Sequence, residues 1–106
     1  MVNTMRNQFQ RTREISAPDP ASIGIHLQKL FEEAGEVATD VNKLIGRKKL
    51  KGAETMQDVK DNFIGELASN IQILFILAQK AGFDYDDLTN AIDLENNDYQ
   101  KYVDNL

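Results

Sequence analysis

The chain has 106 residues, 42% apolar and 27% charged, the balance of one ordinary globular domain rather than a disordered segment. Its net charge of −5 gives no general electrostatic case for a DNA or RNA partner, so an anionic substrate needs a metal or a local basic patch to be held. Cysteine is absent, which excludes disulfides, thiolate zinc sites and a cysteine nucleophile.

In chain order, Met1-Val2-Asn3-Thr4-Met5-Arg6-Asn7 has no apolar signal core. The longest apolar run, Ile73 to Ala78, is broken by Gln79-Lys80 and is too short to cross a membrane. A cytoplasmic location without a membrane partner is therefore expected. From about Asn3 to Ile15 the chain is polar, with Met5, Phe9 and Ile15 as apolar anchors, and reads as a short helix. Ser16-Ala17-Pro18-Asp19-Pro20 is the clearest break, because two prolines forbid helix continuation. Residues 1–20 are thus an N-terminal helix and a Pro-rich break, and residues 21–102 are the core helices of a domain spanning 1–106.

A second helix is predicted from about Ala21 to Ile45. Leu27, Leu30, Phe31, Ala34, Val37, Ala38, Val41, Leu44 and Ile45 recur at three- and four-residue spacing and form an apolar stripe expected to face the core. Gly46 marks its end, and Arg47-Lys48-Lys49-Leu50-Lys51-Gly52 is a basic connector: a solvated loop, or a phosphate clamp reached from a partner subunit. A third helix starts after Thr55, an N-cap with Asp58 three residues on, and runs to about Ala81, where Gly82 closes it. From Ile71 to Ala78 it is apolar nearly all round and is expected to be the most buried element. Asp84 or Tyr85 opens a fourth helix carrying Leu88, Ala91, Ile92 and Leu94, which ends in the polar tail from Asn96 to Tyr102. No segment alternates like a strand. The fold class is all-α.

The chemistry concentrates in Glu32-Glu33-Ala34-Gly35-Glu36, three carboxylates within little more than one helical turn. Glu33 and Glu36 lie side by side on a helix and repel unless a cation stands between them. His26, Lys29, Glu33, Glu36 and Asp40 form a polar strip beside the apolar stripe. On its own such a strip is a solvated face with a weak Lys29–Glu33 pair. Glu66, at the entrance of the most apolar run, supplies a second acidic element that is expensive to bury unpaired. Ser69 and Asn70 follow on the same face, and the amides of Asn70 and Gln72 each need a partner there. An all-oxygen ligand set favours Mg2+, with Mn2+ as the substitute, over zinc. His26 reads first as a packed or solvated residue and second as a substrate contact. There is no Gly-rich phosphate loop and no Ser/His/Asp set.

These residues resemble the all-α nucleoside triphosphate pyrophosphohydrolases, the MazG-like proteins, over roughly His26 to Tyr102. Glu32-Glu33-Ala34-Gly35-Glu36 matches that family's Glu-Glu-x-x-Glu motif, and Gly65-Glu66-Leu67-Ala68-Ser69-Asn70-Ile71 is similar to its Glu-x-x-Asp motif. The resemblance implies a four-helix bundle-type fold. A homodimer or a dimer of dimers is expected because a helical chain of 106 residues with one hydrophobic stripe per helix builds a deep cleft more easily between subunits. It implies Mg2+-dependent hydrolysis of a (d)NTP to the monophosphate and pyrophosphate, a house-cleaning reaction on the nucleotide pool. Glu33, Glu36 and Glu66 would hold the metal, with Asn70 offering a carbonyl oxygen. Glu32, with Glu33 and Glu36, would make up the catalytic acids, Glu32 serving either as a metal ligand or as the base that orients the attacking water. Asn97 and Lys101 are similar to the family's substrate-contacting residues, and His26 and Lys29 complete the expected substrate set. Ser69 departs from the pattern where an aspartate is expected, and Asp93 where a lysine is usual. With Ser69 the alternative is a weakened or inactive helical module that binds nucleotide or a protein partner, Asp40 or Asp61 being the acids able to compensate.

Overall fold

The computed structural model describes residues 4–106; the expected start of the first helix at Asn3 lies outside the described residues. Four helices follow in order, α1 (Met5–Ser16), α2 (Ile23–Leu44), α3 (Met56–Lys80) and α4 (Tyr85–Asp104), with no strand among the described residues. No helix among them is long and apolar enough to cross a membrane.

Side-chain caps set the starts. Thr4 accepts from the Asn7 N–H ahead of α1, and Ser22 from the Ile25 N–H ahead of α2. Thr55 and Asp58 close a reciprocal capping box on α3 at 2.8 and 3.1 Å, and Asp84 with Asp87 does the same on α4 at 2.9 and 2.8 Å. Gly46 and Gly82, just past α2 and α3, adopt φ of 78° and 91°, where a side chain is strained. The fourth helix takes in the polar tail and ends at Asp104, two residues past Tyr102. Polarity alone stops no helix, and nothing beyond Gly82 removes a backbone donor. Gln100 supports the last turns by donating to Asp104 at 2.8 Å.

Helix α3 is central, packed antiparallel along α2 and also against α1. Its anchor to α1 is Phe9, 2% exposed, whose ring lies edge-on to Phe75 at 5.1 Å and tilted to Tyr85 at 5.5 Å. Gln79 adds a bond from its amide nitrogen to the Phe9 carbonyl at 2.8 Å. Phe9 is thus the real anchor of α1, while Met5 and Ile15 stay half-exposed or more. Ile73 and Phe75 are buried as expected of the apolar run, but Ile71 and Leu74 are not, because α4 leaves that side of α3 open. Only the first turns of α4 meet the other helices, and every residue from Asn90 to Leu106 is exposed.

The second helix is covered along only part of its apolar stripe. Its buried residues are His26 and Asp40, from the polar strip, and Lys43, one turn beyond Asp40. The apolar stripe splits: Leu30, Val37, Val41 and Leu44 are half-buried, whereas Leu27, Phe31, Ala34, Ala38 and Ile45 are exposed. The molecule is correspondingly open. A folded monomer of 12.0 kDa exposes about 6,000 Å2, whereas this chain exposes 7925 Å2. Its radius of gyration is 16.7 Å, where a compact domain of this length has about 13 Å.

Candidate metal centre

The seam between α2 and α3 carries the functional side chains, and its register can be followed turn by turn. At one end, Lys43 donates to both oxygens of Glu54 at 2.9 and 3.2 Å. A turn inward, the Asn62 amide donates to both oxygens of Asp40 at 3.2 and 3.0 Å. The next turn brings Glu33 and Glu36 of α2 to Glu66 of α3, with ligand oxygens of all three within 4.8 Å of one another. At the far end His26 is buried against Asp19, its Nε2 3.7 Å from Asp19 Oδ2.

Glu66 is the unusual member. Its Oε2 is buried and receives no hydrogen bond. The groups it faces are the carboxyls of Glu33 and Glu36, and a carboxylate can bond to a carboxylate only through a shared proton. Hydrogen bonding with Glu33 first, then with Glu36, then burial and the charges of both push Glu66 up to about 7, from an ordinary 4.5. Near neutrality Glu66 is therefore divided between its protonated and ionised forms, and a cation would favour the ionised one. Three oxygens within 4.8 Å close on a hexacoordinate ion with little side-chain movement, since ligand oxygens around Mg2+ lie roughly 3 to 4.2 Å apart. Hard oxygen donors without sulfur or imidazole suit Mg2+ or Mn2+.

Of the residues singled out by sequence, the structure brings together Glu33, Glu36 and Glu66. Glu32 is exposed on the outer side of α2 next to them. Asn70, half-buried one turn past Glu66, donates its amide nitrogen to the Glu66 main-chain carbonyl at 2.7 Å. Lys29 is exposed and forms no ion pair with Glu33 among the described residues. His26 is not a cleft residue: it packs against the Pro-rich break, roughly 10 Å along the helix axis from Glu33. Asn97 and Lys101 lie on the exposed half of α4 and are not brought to the seam.

Ser69, level with Glu33 in the antiparallel register, lines a groove of about 430 Å3 between α1 and α3, together with Gln8, Thr12 and Gln72. Neither acid expected to compensate for it joins the cluster, since Asp40 is held by Asn62 and the exposed Asp61 accepts from Gln57 at 2.8 Å. Sequence reading missed Lys43, Glu54 and Asn62. The signal available was that Lys43 continues the step of Glu36 and Asp40, and that Asn62 stands one turn ahead of Glu66.

Neither a scan against protein-family models nor searches of curated proteins and of solved structures give a match to this chain.

The titration of Glu66 has a thermodynamic consequence. A carboxyl raised above its ordinary value in the folded state binds a proton that the unfolded chain releases. Its stabilising contribution is complete below about pH 4.5 and is lost as the pH rises through about 7. Thermal unfolding in EDTA should therefore show the wild-type midpoint falling, relative to Glu66→Gln, as the pH is raised from 5 to 8. Adding Mg2+ at pH 8 should restore the wild-type midpoint and leave Glu66→Gln nearly unmoved. Parallel pH profiles for the two chains would contradict the carboxyl cluster.

Proposed function

We propose that this chain is a Mg2+-dependent nucleoside triphosphate pyrophosphohydrolase, cleaving a (d)NTP to the monophosphate and pyrophosphate, with Mn2+ able to replace Mg2+. The observation that carries the reading is the buried, donorless oxygen of Glu66 facing Glu33 and Glu36. The match of Glu32-Glu33-Ala34-Gly35-Glu36 to the MazG-like motif gives that cation site a reaction.

Glu33, Glu36 and Glu66 would hold the ion, with Asn70 contributing through its carbonyl oxygen if its amide nitrogen stays on the Glu66 backbone. A divalent cation supplies charge neutralisation of the triphosphate and of the leaving pyrophosphate. Glu32 is exposed and ionisable beside the ligands, so it can take the proton from the water aimed at the α-phosphorus. Lys29, one turn before Glu33 and without an ion pair among the described residues, is within reach of a phosphate oxygen of a substrate held there.

The active form in this proposal is a homodimer or a dimer of dimers. The excess exposed surface is about 1,900 Å2 per chain, within the share each partner gives to an obligate interface. Ile23, Leu27, Phe31, Ala34 and Ala38 form a ladder along the outer face of α2 that a second copy would cover. Asn97 and Lys101 stand on a helix that protrudes from its own chain, so they meet substrate only across such an interface.

A second reading is favoured by Ser69. The cluster has three carboxylates, and no further acid replaces the missing fourth. The alternative is a module that binds nucleotide or a protein partner with little or no turnover.

Pyrophosphate release from a panel of ribo- and deoxynucleoside triphosphates with Mg2+ decides between them. The enzyme reading expects turnover that EDTA abolishes and that Glu36→Gln lowers at least ~100-fold. No release by the wild type combined with release by Ser69→Asp would establish the weakened module instead. For the assembly, light scattering should give two or four times 12.0 kDa, and Phe31→Glu should shift it towards 12.0 kDa. An unchanged mass for that variant excludes the α2 ladder as the interface.

A further inference from the structure

The cation reading leaves one feature of the seam unexplained. Asp40 is 3% exposed, yet its partner is a single neutral amide, that of Asn62. Burying a carboxylate against one neutral donor is costly. A salt bridge does not explain it either: the ion pairs among the described residues leave Asp40 out, and Lys43, on the same face, is taken by Glu54.

Position explains what energetics does not. Asp40 is four residues from Glu36, and Asn62 four residues from Glu66, so both pairs share the same two helix faces about 6 Å apart along the axes. Around them the apolar packing is thin. The buried side chains of α3 are Val59, Ile73 and Phe75, with none between Val59 and Ile73, and no buried side chain of α2 is apolar. Leu67, Leu30 and Val37 fill this middle stretch only half-buried. Three carboxylates within 4.8 Å push the helices apart at the same place.

The geometry points to Asp40 and Asn62 as a positioning pair that fixes the register of α2 against α3, and thereby keeps Glu36 and Glu66 at the separation a divalent cation requires. The inference rests on the reading of Glu33, Glu36 and Glu66 as a cation site. The bond is directional. A slip of one residue, about 1.5 Å along a helix, takes the amide out of reach of at least one carboxylate oxygen. The pair therefore holds the mutually repelling acids together before an ion arrives and reduces the rearrangement that binding demands.

The test uses the full chain, in three forms. Asp40→Ala with Asn62→Ala removes both partners and leaves no buried carboxylate orphaned. The reciprocal exchange, Asp40→Asn with Asn62→Asp, keeps a bond between the two positions with its direction reversed. Because the chain lacks cysteine, residues introduced at the exposed Gln28 and Lys60 take nitroxide labels, and dilution with unlabelled chain isolates the distance within one copy. The metal-free label distance is read by double electron–electron resonance, and Mn2+ binding to the unlabelled forms by calorimetry. The expected result is a narrow distance in the wild type, a broadened one in the double-alanine chain with Mn2+ affinity about tenfold weaker, and recovery of both in the exchange. A double-alanine chain with the wild-type distance and affinity overturns the inference, as does a folded exchange that restores neither. If the wild type binds no Mn2+, the cation reading fails by itself, and the metal-free distances still decide the pair. If the double-alanine chain does not fold, the exchange decides: the wild-type distance supports the pair and a broadened one overturns it.

Discussion

A carboxylate removed from water without a donor must share a proton, attract a cation or be left severely strained. Glu66 is partly in that position: the residue is half-buried with its Oε2 buried and without a donor, beside the half-buried carboxyl of Glu33 and the exposed one of Glu36. The rest of the seam can be read from this constraint. Acids that repel one another need something nearby to hold their helices together, and the polar contacts Asp40–Asn62 and Lys43–Glu54 follow at the next turns. The same arrangement that is unfavourable among the carboxylates alone becomes favourable once positive charge enters.

The orientation of α2 connects the seam to the outside of the molecule. Glu33, Glu36 and Asp40 of its polar strip meet α3, while part of its apolar stripe is turned outward, with Phe31 70% exposed. The helix serves two surfaces, an interior seam built on charge and an exterior one built on Ile23, Leu27 and Phe31. The exterior face, the open side of α3 and the protruding α4 are all consistent with a chain whose core is completed by another copy. A cleft formed in that way would join the carboxyl cluster of one copy to residues carried on another.

Much of the fold was legible in the residues because its boundaries depend on local chemistry. Prolines 18 and 20, glycines 46 and 82 and the Thr55 cap act within a few residues of themselves, so the breaks between helices can be placed from sequence. The meeting of Glu66 with Glu33 and Glu36 was also legible, since periodicity places each acid on a face. What was not legible is how much of the α2 apolar stripe is covered. Amphipathicity does not say what covers a stripe, and here Leu30, Val37, Val41 and Leu44 are half-buried together with Glu33 and Asp40, while Leu27 and Phe31 stay exposed. His26 is packed, as the first of its two readings had it, and Asn62 gave only the faint signal of standing one turn ahead of Glu66, because an amide on a helix is ordinarily solvated. The expected end of α4 near Tyr102 lies two residues short of the observed end at Asp104.

The central claim is that Glu33, Glu36 and Glu66 bind one divalent cation between α2 and α3. Anomalous diffraction from crystals grown with Mn2+ tests it most directly, because the ion is located independently of any activity. The account predicts a peak between the three carboxylates, each within about 2.1 Å of it through at least one oxygen. Saturating Mn2+ with no peak in that seam, or with a peak elsewhere and Glu66 still unligated, would contradict it.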